Sequence, residues 1–321
     1  MKEIGGYFEL ELRRQSHFLH DDGILLNCCR GALEYIFRAN DSISKIWIPF
    51  FTCDVVKEPI GKLNIPIEYY RINENLEIVE DIRLKEDEFL LYTNYFGIKD
   101  QYVSYLSSKY GNQLIVDCAQ AWYAPPFGNS NYAYSPRKFL GIPDGGVAYC
   151  IKQLTLEGYP IDVSYDRFSH LLKRIDLTPS EGYKDFRDNA HKLNGQGIKK
   201  MSNLTKSLLQ SIDYDAICEK RKGNFSLIHS ELGVLNRLKM PSIDTYACPM
   251  TYPLWYNKEG LKDYLIKNKI YVATYWPNVL SEMDKNTLEY DLVSNLVHIP
   301  IDQRYDNSDM MKIVKLIKEW M

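Results

Sequence analysis

The chain has 321 residues, about twice an average domain, with 45% hydrophobic and 25% charged residues; these values exclude a disordered, collagenous or coiled-coil chain. Thirty-nine Lys and Arg against 42 Asp and Glu leave a net charge of −3, without the basic excess that binding a phosphate backbone uses, so no nucleic-acid partner is expected. No apolar run reaches signal-peptide or membrane-spanning length, which gives the expectation of a cytoplasmic protein with no membrane partner.

Short apolar runs alternate with helical periodicity through the first half. Residues 24–27 read as a strand that leads into a helix over 31–39, where Leu33, Ile36 and Phe37 share one face. A strand over 45–49 and a helix over 53–63 follow, then strands at 67–70, 89–93 and 113–117, with a helix over 100–109 between the last two. This order predicts an α/β fold, a mostly parallel sheet covered by helices on both faces, with ligands beyond the carboxyl ends of the strands. From 154 to about 237 the pattern turns polar and mostly helical. After Pro241 come mixed elements, with periodic stretches at 260–269 and 308–320 and a strand near 295–300. The expected organisation is a large domain over 1–237 and a small α+β domain over 238–321, packed together because no flexible linker separates them.

The seven cysteines are odd in number and irregular in spacing, which suits reduced thiols, and neither Cys-x-x-Cys nor His-x-x-x-His spacing suggests a metal site. Twenty-five tyrosines suit sugar or nucleotide pockets, but they fill cores equally well.

Three segments carry candidate chemistry. The apolar run 113–117 delivers Asp117 to a strand end, with Gln120 three residues later; a helix cap or structural ion pair is as good a reading as catalysis from this segment alone. Residues 131–149 read as strand, turn and strand, with Lys138 in the turn and Gly145-Gly146 after it. A lysine held there is a candidate nucleophile toward a carbonyl, because desolvation lowers its pKa and the turn aims its amine. Leu26-Asn27-Cys28-Cys29-Arg30-Gly31 is a strand-to-helix turn of the kind that binds phosphate at its backbone amides. Together they supply handles for the phosphate, ring nitrogen and aldehyde of pyridoxal 5'-phosphate.

At these residues the sequence resembles the DegT/StrS group of sugar aminotransferases, within fold type I of the pyridoxal-phosphate-dependent enzymes, over nearly its whole length. Cys28-Cys29-Arg30-Gly31-Ala32-Leu33 resembles the group's phosphate turn, Ile48-Pro49-Phe50-Phe51-Thr52-Cys53 its strand-end run, and Tyr92-Thr93-Asn94-Tyr95-Phe96-Gly97 its His-x-Phe-Gly loop. Asp117-Cys118-Ala119-Gln120-Ala121 and Lys138 followed by Asp144-Gly145-Gly146 match its cofactor motifs, and His298-Ile299-Pro300-Ile301-Asp302 resembles a late strand. The resemblance implies that Lys138 bonds the cofactor, Asp117 pairs with its pyridinium, and Gln120 meets its phenolic side. Cys29, Arg30, Gly31, Cys53 and Tyr95 are then cofactor neighbours.

The chain departs from the group in places. Ala133 stands where a phosphate-binding serine is usual, with Ser135 on the same strand face as a substitute, and Cys53 replaces a stacking aromatic, leaving Phe51 or Tyr95 to take over. In the group a neighbouring subunit reaches the phosphate from a segment like 197–203, which makes Lys199 or Lys200 candidates and a homodimer the expected partner. Gly5-Gly6-Tyr7-Phe8 and Tyr275-Trp276-Pro277 are weaker candidates for a sugar-nucleotide wall, against core or dimer packing. The implied activity is transfer of an amino group from an amino acid, glutamate foremost, to a nucleotide-linked keto sugar, in polysaccharide or related sugar biosynthesis. A dehydratase or lyase of the same fold and a silent binding protein stay open.

Overall fold

The computed structural model describes residues 4–40, 42–256 and 258–321; residues 1–3, where the amino-terminal reading begins, lie outside it. The first half supplies β1 (Ile24–Leu26), α1 (Cys29–Ala39), β2 (Lys45–Pro49), α2 (Asp54–Lys62), β3 (Ile67–Tyr70), β4 (Glu88–Thr93), α3 (Asp100–Tyr110), β5 (Leu114–Cys118), β6 (Asn131–Tyr134) and β7 (Gly146–Tyr149). A helical segment follows with α4 (Ser169–Asp176), α5 (Pro179–His191), α6 (Asn203–Gln210) and α7 (Tyr214–Leu232). The last part holds β8 (Tyr252–Trp255), α8 (Leu261–Lys267), α9 (Val279–Glu282), α10 (Leu288–Asn295), β9 (Leu296–Ile299) and α11 (Asn307–Trp320).

Seven strands form one sheet in the order β1-β7-β6-β5-β4-β2-β3, and only β7 runs antiparallel to its neighbours. Strands β4 and β5 are buried on both faces, which explains why they read as continuous apolar runs rather than alternating ones. One sheet face packs Leu33, Ile36 and Phe37 of α1 against Ile46, Leu91, Ile115 and Ala133. The other face packs Tyr92, Val116 and Tyr134 into a larger core, continuous with Tyr252, Leu254, Leu292 and Ile313 of the carboxyl-terminal part.

Two readings are corrected. Helix α1 begins at Cys29, not at Gly31, because Cys28 serves as its cap and accepts the Gly31 amide on its thiol at 3.4 Å. Cysteine is not among the common caps, so the signal was missed. The stretch before α4 is not helical apart from a short turn at Tyr165–Arg167; Gly158 and Pro160 interrupt it, and Ile161 instead bridges to Lys200.

Candidate active site

The register of β4, β5 and β6 sets Thr93, Asp117 and Ala133 side by side at the carboxyl end of the sheet. Asp117 is buried, and its Oδ1 accepts the Ala119 amide at 2.8 Å, a local turn bond of the capping kind. Its other carboxylate oxygen has no hydrogen-bond partner among the described residues. Burial pushes its pKa up to about 6, against the pull of the Ala119 amide and of Lys138. That carboxylate is held ready for a proton-bearing partner that the protein does not supply.

Lys138 ends a short 3-10 turn, Pro136–Lys138, that follows β6. Two donors from the later chain brace this turn at the Phe139 carbonyl, Arg221 Nη2 at 3.2 Å and Gln303 Nε2 at 2.9 Å. Lys138 is exposed to solvent, although many protein atoms lie near its amine. Desolvation lowers its pKa, opposed by the Cys53 thiol and Asp117 and assisted by the neighbouring charge of Arg137. Its Nζ lies 4.9 Å from the ring centre of Tyr275. An amine so placed is more easily freed of its proton than a surface lysine.

The third wall is the start of α1. Gly145 donates to the Asn27 carbonyl at 2.8 Å, and a Cβ on Gly146 would stand 2.3 Å from the carbonyl carbon and oxygen of Cys28. Only glycine permits the chain beyond Lys138 to approach the helix start so closely. A Cβ on Gly31 would likewise lie 2.6 Å from Asn27 Oδ1. The start of α1 therefore sits in a turn held on two sides, its Gly31 amide taken by the Cys28 thiol and those of Cys29 and Arg30 facing out before it, a backbone arrangement suited to an anion.

Around these three walls the structure places the other candidates. Cys29 and Cys53 are partly buried thiols within electrostatic reach of both Asp117 and Lys138, and burial raises the pKa of each. Gln120 is buried; its Oε1 accepts the Phe96 amide at 3.1 Å, while its Nε2 has no partner among the described residues. Ser135 keeps the extended backbone of β6, so it falls on the Ala133 side of the sheet, and its hydroxyl makes no hydrogen bond among the described residues. Ala133 itself packs fully into the core on the α1 side.

Some candidates are committed elsewhere. The Arg30 guanidinium donates through Nη1 to Glu58 at 2.6 Å and to Asn194 at 2.9 Å. Tyr95 is fully buried, gives its hydroxyl to the Phe51 carbonyl at 3.0 Å, and packs with Phe51 and Trp276. Lys199 Nζ pairs with Asp162 at 3.1 Å in its own chain. Tyr7 and Phe8 are almost wholly exposed, so neither is a core residue. Sequence reasoning rated Tyr275 low, named His298 only as part of a late strand, and passed over Arg137. The His298 ring lies 4.4 Å from that of Tyr275, and Arg137 is the residue next to Lys138 in its turn.

The residues present fit pyridoxal 5'-phosphate: an amine of lowered pKa, a buried carboxylate with an open oxygen, an orphaned amide nitrogen on Gln120, and a helix start stand at the same end of the sheet.

The chain matches no protein-family model and no curated protein sequence. Its fold matches solved structures. One is the sugar aminotransferase CalS13 from Micromonospora echinospora, at 15% identity over 92% of this chain and 86% of that one, with a TM-score of 0.61. A DegT DnrJ EryC1 StrS aminotransferase from Brucella abortus matches at 14% identity over 92% and 85%, with a TM-score of 0.62. NtdA from Bacillus subtilis, solved with bound cofactor PMP, matches at 12% identity over 92% and 72%, with a TM-score of 0.61. At such identities the likeness is one of fold: the chain shares the α/β fold of these aminotransferase structures.

Proposed function

We propose that this chain, sharing its fold with sugar aminotransferases, is a pyridoxal-phosphate-dependent aminotransferase that moves an amino group from an amino acid, foremost glutamate, to a nucleotide-linked keto sugar. The observation that carries the reading is the placement of Lys138 and Asp117, from separate β-structures, at one end of the sheet within electrostatic reach of each other, each with a pKa displaced toward neutrality. The keto-sugar acceptor rests on the motif resemblance and on the sugar aminotransferase among the fold relatives.

The cofactor, when bound, supplies an electron sink that makes a carbon–hydrogen bond next to nitrogen acidic. The chain's own residues do the rest. Lys138 Nζ would hold the cofactor's aldehyde carbon and, when its amine is free, would hold and return a proton. Asp117, ionised beside a ring nitrogen, keeps that nitrogen protonated. Gln120 Nε2 would donate to the phenolic oxygen, and the α1 start from Cys29 to Gly31, with Ser135, would hold the phosphate. Cys53 packs at the ring, and Tyr275 closes the recess over the amine. The phosphate site is completed by Lys199 or Lys200 of a second copy in a homodimer. The division into 1–237 and 238–321 belongs to the same proposal.

The test is a half-reaction. Protein loaded with pyridoxal phosphate and mixed with glutamate should lose the pyridoxal absorbance and gain that of the amino form. An unchanged spectrum across a panel of amino acids removes the transaminase reading and leaves a silent scaffold; breakdown of the amino acid without accumulation of the amino form points to a lyase.

A further inference from the structure

Along residues 161–167 the usual surface pattern is reversed. Ile161, Val163 and Tyr165 are more than half exposed, whereas Asp162, Ser164 and Arg167 are buried. The buried groups converge on Asp144, itself fully buried, which lies between Lys138 and the Gly145-Gly146 pair. Asp144 Oδ2 accepts from Arg167 Nε at 3.0 Å and Nη2 at 2.6 Å and from the Ser164 hydroxyl at 2.5 Å, while Thr205 donates to Oδ1. Arg167 Nη2 also donates to Asp162 at 2.6 Å, and Lys199 Nζ donates to the other Asp162 oxygen at 3.1 Å. Two carboxylates thus face two cations. At the rim, half-exposed Asp166 stands 3.9 Å from Arg167 and pairs with Lys192 at 3.4 Å.

Burying ion pairs carries a desolvation cost that well-packed apolar side chains in the same places do not incur. This segment has apolar side chains to offer, and they point outward. Core formation therefore does not explain the arrangement; a fixed position for Asp144 does. Gly145, next in the chain, is the link to the lysine. A Cβ on Gly145 would stand 3.2 Å from Pro136 Cγ and 3.2 Å from Thr205 Cγ2, so its backbone packs on Pro136, the first residue of the Lys138 turn. The other end of the intervening loop is gripped at the Phe139 carbonyl by Arg221 and Gln303. The loop that follows the lysine is clamped at both ends, and the Asp144 clamp is built of charge.

We infer that Asp144, held by Arg167, is a positioning residue for Lys138: it seats Gly145 against Pro136 and so aims the lysine turn at the end of the sheet where Asp117 lies. The inference rests on the cofactor reading above, in which Lys138 bonds the cofactor. Asp144 and Arg167 act through geometry, by keeping the amine where it can attack, and a small displacement of a reacting group is enough to slow its reaction greatly. The fork of Arg167 suits this task because two of its nitrogens fix the direction of one carboxylate oxygen while a third contact reaches Asp162.

The experiment measures how fast apo protein captures pyridoxal 5'-phosphate, by stopped-flow absorbance, with the captured residue located by borohydride reduction and peptide mapping. Wild type is compared with Asp144→Asn and with the double variant Asp144→Asn/Arg167→Met, and apo melting temperatures are taken alongside. The double variant removes one charge of each sign and leaves Asp162 with Lys199 and Asp166 with Lys192. Asp144→Asn should melt lower than wild type, because it strips the buried guanidinium of an anion, and the double variant should recover most of that loss. Both variants should nevertheless capture the cofactor at Lys138 at least about tenfold more slowly than wild type. A double variant that regains its stability and captures at the wild-type rate would overturn the inference. So would a double variant as unstable as the single one, since the charges would then hold the fold and not the lysine turn. Wild type that takes no label on Lys138 would overturn the cofactor reading, and the inference with it; a labelled wild type with equal rates in all three proteins overturns the inference alone.

Discussion

The Gly145 amide donates to the Asn27 carbonyl at 2.8 Å, and this bond fastens the segment after Lys138 to the residue that follows β1. It brings the lysine turn and the helix start, which belong to distant parts of the chain, to one edge of the sheet.

That closeness makes Gly146 irreplaceable. An alanine there would set its Cβ 2.3 Å from the Cys28 carbonyl, and backbone on both sides cannot yield. Gly146→Ala is expected to cost at least about 2–3 kcal/mol, the range of overpacking in a tight interior. Chemical denaturation measures it, and a variant as stable as wild type would show that the helix start can slide.

Lys138 is expected to carry the cofactor. Borohydride treatment of the loaded protein followed by peptide mapping should place the pyridoxyl group on Lys138. A label on another lysine transfers the role to that residue.

Asp117 should reveal itself in two ways. Burial raises its folded-state pKa from 3.8 to about 6, so the folded apo protein holds that proton more tightly than the unfolded chain does. The stabilisation is fully present below pH 3.8 and is lost as pH rises through 6; two units correspond to about 3 kcal/mol. Apo Asp117→Asn should therefore melt higher than wild type at pH 8 and no higher at about pH 3.5, below both values. In the loaded enzyme the carboxylate becomes useful: Asp117→Ala should slow the glutamate half-reaction at least about a hundredfold, roughly 2.7 kcal/mol of barrier. A purely structural Asp117 predicts an intact rate, which single-turnover absorbance would detect.

A homodimer is expected in solution. Ile161, Val163, Tyr165 and Ile175 are all more than half exposed along the stretch before and within α4, a run of apolar surface that a second copy would cover. Sedimentation at micromolar concentration with cofactor should give twice the chain mass. An active monomer would count against shared sites.

The order of strands and helices was legible because parallel, doubly covered strands leave long apolar runs that alternate with a helical period; β2 and β3 fall where the pattern put them, at Lys45–Pro49 and Ile67–Tyr70. Asp117, Lys138 and Gly145-Gly146 were legible for a related reason: the carboxyl ends of parallel strands are where such folds bind ligands, so polar residues and a double glycine stand out there against the apolar runs. What one dimension cannot hold is which partner each side chain takes. Arg30 and Arg137 are both arginines beside motif residues, yet one pairs with Glu58 from α2 and the other makes no ion pair among the described residues. Tyr95 and Tyr275 are both aromatic neighbours of motif residues, yet one gives its hydroxyl to Phe51 in the core and the other stands over Lys138. Local sequence determines which elements form, through periodicity and caps. Only the packing of elements distant in the chain sets which charges are matched, and the unmatched ones mark the site.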